Sequence, residues 1–212
     1  MDNSVALCAK KTIGASLLAL DLAMCPFPAW SVPFTATAPS ALLTPAATTC
    51  PTLLQREVFR LQDEKRQSLC QYTGKVIVVV NTASFCGYTS QYKGLEDLQK
   101  RYGARGLVVL GFPSNDFGSQ EPGSNKDIAA FCENTFGVQF AMFTKTHVAA
   151  GSGAALSPFY ADLKQRTGAS PKWNFHKYVI ARDGRTVISV ASEVEPMAPS
   201  FTKQLDSLLD TK

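Results

Sequence analysis

From about residue 52 onward, apolar and polar positions follow periods that name the secondary structure. "KVIVVVNT" (75–82) is a continuous β-branched run, the pattern of a strand buried on both faces. "GLVVLGFP" (106–113) predicts a second buried strand, stopped by Pro113. Between them, "YKGLEDLQKRYG" places Tyr92, Leu95, Leu98 and Tyr102 at helical spacing and ends at Gly103. Upstream, "REVFRL" and "QSLCQY" alternate around the polar turn "QDEKR" and predict a β-hairpin. Downstream, "SNKDIAAFCENTFG" predicts a helix capped by Ser124, with Asp127 in its first turn where the helix dipole favours an acid. "LSPFYADLKQRTG" predicts another helix. "HKYVIARDGRTVISVAS" predicts a hairpin turning at Asp183-Gly184, and "SFTKQLDSLL" a closing amphipathic helix.

The order β-α-β, α, β-β-α, with parallel strands first and a hairpin later, predicts an α/β domain of thioredoxin-like fold. It has a central mixed β-sheet flanked by helices and an N-terminal β-hairpin, and it spans residues 52–212. The first 50 residues do not continue this pattern. They are rich in Ala, Pro, Ser and Thr and contain no Glu. Lys10 and Lys11 precede the apolar run "TIGASLLALDLAM", and "AWS" (29–31) offers small residues at a cleavage spacing. This predicts a signal peptide over 1–31, with Asp21 interrupting its apolar core, and a flexible segment over 32–51. The run is too short and too interrupted for a spanning helix, so the expectation is an exported protein, periplasmic or secreted, without a membrane span.

Composition narrows the chemistry. A net charge of +4, with basic residues scattered and no aromatic stripe among them, argues against nucleic acid as a partner. The two histidines, His147 and His176, have no Cys or carboxylate at metal-ligand spacing, so no metal and no cofactor is expected. There are six cysteines. Cys8 and Cys25 lie in the predicted leader, which leaves Cys50, Cys70, Cys86 and Cys132 in a chain bound for an oxidising compartment.

Cys86 closes the first buried strand at the point where a thioredoxin-like fold delivers a residue to a helix N-terminus. Backbone N–H groups and the positive end of a helix dipole there favour a thiolate. Thioredoxins carry a second cysteine in this turn. Here the tetrapeptide is Cys86-Gly87-Tyr88-Thr89, which disfavours a disulfide reductase. Thr82 lies four residues before Cys86 and does not fit the peroxiredoxin pattern.

"NTASFCGYT", "GFPSNDFGSQEPGSN" and "KWNFHKYVI", in this order and spacing, resemble the glutathione peroxidase family over residues 52–212. The resemblance implies a thiol peroxidase that reduces hydrogen peroxide and organic hydroperoxides through a Cys86 sulfenic acid. Gln120, Trp173 and Asn174 would complete the catalytic tetrad. Their chemistry suits the part, because amide and indole N–H groups can hold a thiolate ionised and stabilise a departing alkoxide or hydroxide. Asp116 stands where many members have Gln, which puts the geometry of that loop in question. The long insertion that resembles the tetramer-forming loop is missing, as are the glutathione-binding arginines. Both absences point toward a monomer whose open site takes bulky hydroperoxides and a protein reductant.

Two further cysteine roles are expected. Cys50, just before the first hairpin strand, and Cys70, within the second, are placed to form a structural disulfide. Cys132 resembles the resolving cysteine of the two-cysteine family members, with a thioredoxin-like protein or glutathione as the final reductant. Ile128, Phe131 and Cys132 share a helical face, so the alternative for Cys132 is a buried structural thiol. The alternative for the whole molecule is a peroxide sensor or redox relay that passes its disulfide to a partner.

Overall fold

The structure, a computed structural model, describes residues 49–151 and 155–211. The predicted signal peptide, most of the segment after it, Cys8 and Cys25 lie outside the described residues.

Five strands form one mixed sheet in the order β5-β4-β3-β6-β7. β3 (Val76–Thr82) and β4 (Leu107–Pro113) run parallel in the register Val76↔Leu107, with β5 (Ala141–Met142) parallel to β4 at the edge. β6 (Lys177–Ile180) runs antiparallel to β3, and β7 (Val187–Val190) antiparallel to β6. A separate hairpin, β1 (Glu57–Phe59) with β2 (Arg66–Ser68), lies at the N-terminal side. The fold is thus thioredoxin-like, as the order of elements predicted. β5 was not anticipated, since two residues are too few to carry a period.

The β-branched run earns its central place because both its faces are covered. Val76, Val78 and Val80 pack in one core with Tyr92, Leu95 and Leu98 of α1 (Gln91–Tyr102), Ile128 and Cys132 of α2 (Asn125–Phe136), and Phe201, Leu205 and Leu209 of α4 (Pro199–Asp210). Ile77 and Val79 face the opposite core. There they meet Phe159, Tyr160 and Leu163 of α3 (Pro158–Thr167) and Leu53, Leu54 and Leu69 from short 3-10 turns flanking the hairpin. Every residue of β3 is buried, so any charged substitution along it would leave an unpaired charge in the interior.

Two boundaries differ from the sequence reading. α1 ends at Tyr102, but the chain continues as a 3-10 turn over Gly103–Arg105 and is terminated by Gly106 in the left-handed region at φ 94°. Cys70 is not in the second hairpin strand. It lies in a 3-10 turn, Leu69–Tyr72, that Ser68 caps by accepting from the Cys70 N–H.

Candidate active site

Cys86 follows β3 through a series of turns and lies half-buried at the surface. The sequence reading placed it at a helix N-terminus, but α1 begins only at Gln91. The N–H that meets its sulfur is that of Tyr88, at 3.4 Å. The turn is bolted by Thr89, whose hydroxyl accepts from the Cys86 N–H and donates to the Ala83 carbonyl, both at 3.0 Å. Thr89 holds the place of a thioredoxin's second cysteine and does a mechanical job instead. Sequence reasoning noted only the missing thiol.

Gln120 reaches the site on the loop after β4. Gly118 and Ser119 adopt φ of 62° and 53°, consecutive left-handed residues that turn the chain so that the Gln120 carbonyl accepts from the Phe85 N–H at 3.1 Å. For Ser119, such a conformation is uncommon and is sustained by its surroundings. Asp116 anchors the base of this loop. Its carboxylate accepts from the Val148 N–H (2.7 Å) and the Ala149 N–H (2.9 Å) and pairs with His147 Nδ1 (2.7 Å). Desolvation opposes ionisation of Asp116, but these bonds win and hold the carboxyl below its usual range. The departure from Gln therefore leaves a well-tied loop.

Trp173 and Asn174 arrive on the turn entering β6. Asn81, at the end of β3, pins that turn: its side-chain amide donates to the Trp173 carbonyl at 3.1 Å, and its own carbonyl accepts from the Phe175 N–H at 2.6 Å. Phe175 is fully buried at φ 62°, a costly conformation for a bulky residue that exposes Trp173 and aims Asn174 inward. Asn174, itself buried, donates to Gln120 Oε1 at 2.9 Å. The indole of Trp173 is 40% exposed and lies against Phe117, with ring centroids 6.0 Å apart. A Cβ at Gly118 would stand 3.5 Å from both the Gln120 amide nitrogen and the Trp173 ring. Gln120, Trp173 and Asn174 thus form one cluster, joined to the Cys86 turn through Phe85 and Asn81.

Two supporting residues escaped the sequence reading. Lys177 is fully buried, with Nζ donating to Gln91 Oε1 (2.5 Å), Val194 O (2.6 Å) and Ser192 O (3.2 Å). Burial lowers its pKa to about 8. It ties the start of α1 to the segment whose Ser192 hydroxyl donates to Trp173 O at 3.3 Å. Its signal was available, since a lysine inside an otherwise apolar strand must have partners. The second is Glu121, beside Gln120 and 1% exposed, whose Oε2 has no hydrogen-bond partner. Burial raises it to about 7, with Ser84 and more weakly Lys145 pulling the other way.

Two openings flank the cluster. One, of about 370 Å³, is mostly apolar and lies between the Cys86 turn and α2, lined by Ser84, Phe85, Glu121, Pro122, Ile128 and Phe131 among others. Phe85 is 68% exposed at its mouth. The other, of about 490 Å³, lies beside Tyr88, Lys172, Trp173 and His176. Burial, reinforced by Lys177, lowers His176 to about 4, so it is neutral at pH 7, with Nε2 on the Ser189 hydroxyl at 3.0 Å.

The four described cysteines divide into two kinds. Cys50 and Cys70 are joined by a disulfide, with Cα atoms 5.4 Å apart. Cys86 and Cys132 are free thiols. Cys132 is buried on α2, and burial pushes it up to about 11. It is therefore held as the thiol.

Comparison with known proteins identifies the family. The glutathione peroxidase family model matches residues 55–164. The glutathione peroxidase-like peroxiredoxin gpx1 of Schizosaccharomyces pombe is 44% identical over 124 residues, covering 58% of this chain and 78% of that protein. The hydroperoxy fatty acid reductase gpx1 of Synechocystis is 42% identical over 142 residues, covering 61% and 80%. Among solved structures, that of Trgpx in apo form superimposes with a TM-score of 0.57 at 32% identity, covering 76% of this chain and 97% of the other. The dsbF protein of MTB, at 16% identity and a TM-score of 0.53, shares the fold alone. On the family model, these relatives and the shared fold, the chain belongs to the glutathione peroxidase family and is a thiol peroxidase, a peroxide-reducing oxidoreductase.

Proposed function

We propose that Cys86 is the peroxidatic residue of a two-cysteine cycle in which Cys132 resolves the oxidised form. In the first step the Cys86 thiolate attacks the peroxide O–O bond. Sulfur gains one oxygen as Cys86–SOH, and the other oxygen leaves and is protonated to alcohol or water. Gln120, Trp173 and Asn174 supply the N–H donors that stabilise the charge moving onto the leaving oxygen. In the second step the Cys132 thiol attacks the sulfenic sulfur, forming a Cys86–Cys132 disulfide and releasing water.

The observation that carries the first step is the Asn174–Gln120 hydrogen bond at 2.9 Å, which makes one donor cluster of two distant loops beside the Cys86 turn. The second step is supported by the packing of Cys132. Behind it lies a cavity of about 400 Å³ lined by Ala129, Cys132, Gly137, Val138 and Met142 among others, so the C-terminal half of α2 has room to rearrange. The apolar opening at Phe85 supports organic hydroperoxides as substrates, the class named in the Synechocystis relative. A thioredoxin-like protein, which reads an exposed disulfide, is our choice of reductant over glutathione.

Export to the periplasm or beyond is supported by Lys10, Lys11 and the apolar run after them, and by the Cys50–Cys70 bond, which persists in oxidising compartments. Among the described residues no helix is long and apolar enough to cross a membrane. The stretch between "FTKTHVAAG" and "PKWNF" lacks the longer insertion that resembles the tetramer-forming loop, which supports a monomer.

Mass spectrometry after one equivalent of peroxide tests the cycle. A linked Cys86–Cys132 peptide is expected. A sulfenic or sulfinic acid on Cys86 with Cys132 still free would mean a one-cysteine enzyme that needs an external thiol.

A further inference from the structure

Glu121 is the one buried carboxyl at the junction of the two reactive cysteines, and the reaction just described gives it no part. It stands between the turn that carries Cys86 and the helix that carries Cys132, sharing its opening with Ser84 and Phe85 on one side and Ile128 and Phe131 on the other. Ile128 is one helical turn before Cys132. A carboxylate oxygen without a partner at 1% exposure is expensive unless it has work to do.

We propose that Glu121 is the proton acceptor and donor for disulfide formation between Cys132 and Cys86. This rests on the two-cysteine reading and deepens it. The step needs one proton moved. The Cys132 S–H proton passes to the Glu121 carboxylate as the sulfur attacks the Cys86 sulfenic acid. The S–O bond breaks, and the same proton passes from Glu121 to the departing hydroxide, leaving as water. Atoms and charge balance, and Glu121 ends as it began.

The anchoring of the two elements makes this feasible. Glu121 is held from the loop side, its N–H donating to Asn115 Oδ1 at 2.8 Å and its carbonyl accepting from Lys145 Nζ at 3.3 Å. α2 is locked at its start by a capping box between Ser124 and Asp127, whereas its far end abuts the cavity behind Cys132. Opening from that far end frees Cys132 and leaves Glu121 in place. A buried thiol raised to about 11 cannot ionise unaided at neutral pH, and a carboxyl raised to about 7 is poised both to take a proton and to return it. The groups that bear on Glu121 are Ser84, Lys145 after β5, Asp127 and Cys132 on α2, and Tyr92 on α1.

The test is rapid-quench measurement of disulfide formation in the full chain, across pH 5 to 9, after one equivalent of hydrogen peroxide. In Glu121→Gln, which keeps shape and removes the proton site, formation of the linked peptide should slow about 10²-fold. The inflection near pH 7 should vanish, leaving a rate that climbs with hydroxide, and added formate should restore part of it. Linkage in Glu121→Gln at the wild-type rate with the wild-type profile would overturn the proposal. If the Gln variant does not fold, Glu121→Asp decides: its inflection should move with the shorter acid, and an unmoved one overturns the proposal equally. If the wild-type chain itself forms no Cys86–Cys132 link, the two-cysteine reading fails first, an outcome distinct from normal linkage in the variant.

Discussion

Cys86 and Cys132 are the same residue type in the same fold, and their surroundings differ in nearly every respect. Cys86 is half-exposed, and the backbone around it is fixed by Thr89, by the Phe85–Gln120 bond and by Asn81 at the end of β3. Cys132 is buried, protonated, and seated on a helix that is firmly capped at one end and backed by empty space at the other. A nucleophile that meets a small diffusing substrate needs access and fixed donors, since a misplaced donor forfeits transition-state stabilisation. A resolving thiol must stay out of reach of the oxidant and arrive afterwards, which calls for burial and a low cost of local opening.

Replacing each cysteine should break the pair in different ways. Cys86→Ser should lower the rate of peroxide consumption by roughly 10³-fold or more, the scale of removing a nucleophile. Cys132→Ser should still consume one equivalent per chain and then stall with a thioredoxin-like reductant. A stopped-flow trace in which Cys86→Ser reacts near the wild-type rate would invert the assignment. The disulfide-bonded cysteines, Cys50 and Cys70, provide a control. Reducing the Cys50–Cys70 bond by Cys50→Ser with Cys70→Ser should cost about 3 kcal/mol in denaturant unfolding, with little change in the first reaction step.

The donors around Cys86 sharpen the same contrast. Trp173→Phe or Gln120→Ala should slow the first step by about 10²-fold, the usual loss for one transition-state donor, without changing how fast a preformed sulfenic acid is resolved. An equal effect on both steps would mean that the two regions are not separable.

How much of this could be read along the chain depends on what a one-dimensional pattern encodes. β3 and β4 announced themselves as unbroken apolar, β-branched runs and α1 by its helical spacing, with Gly or Pro close to their ends. Cys86, Gln120, Trp173 and Asn174 were legible only as family-like motifs, and the bond that unites Asn174 with Gln120 spans chain segments no period connects. β5, with two residues, is too short to show a period. Lys177 and Glu121 were printed inside the quoted motifs, yet their weight comes from burial, a property of the assembled sheet and helices. The Cys86 turn was misplaced relative to α1 because turns before a helix leave no apolar repeat.

The two sides of the site also respond oppositely to acid. Glu121, on the Cys132 side, has its pKa raised from 4.5 to about 7 in the folded state, so its contribution to stability is fully present below 4.5 and is lost as pH rises through 7. His176, behind Trp173 on the Cys86 side, is lowered from 6.5 to about 4, so its contribution is present above 6.5 and is lost as pH falls through 4. Between pH 7 and 4.5 each amounts to about 2 kcal/mol, with opposite sign. Unfolding free energy of the wild type should therefore be nearly flat over this interval. Glu121→Gln should lose about 2 kcal/mol on acidification, with the His176 contribution no longer offset. A wild type that already loses that much would show that the Glu121 shift is much smaller than its burial implies.

The smallest effect bears on the idea that Cys132 must be released. Gly137 ends α2 in the left-handed region at φ 61°, its N–H donating back toward the Cys132 and Glu133 carbonyls, and the Val138 N–H donates to Cys132 O at 3.1 Å. A Cβ there would touch nothing within 4 Å, so Gly137→Ala adds no clash and only the conformational penalty of a left-handed alanine, about 1 kcal/mol. That penalty falls on the closed helix end and not on the Cys86 turn. If opening precedes attack, the open population and the disulfide-forming rate should both rise about fivefold, the factor that 1 kcal/mol sets. Hydrogen exchange of the Gly137 and Val138 amides should accelerate in step, while peroxide consumption by Cys86 stays the same. Faster exchange with unchanged disulfide formation would mean that Cys132 reaches Cys86 without unwinding this end of α2, and the contrast between a fixed nucleophile and a released resolver would have to be redrawn.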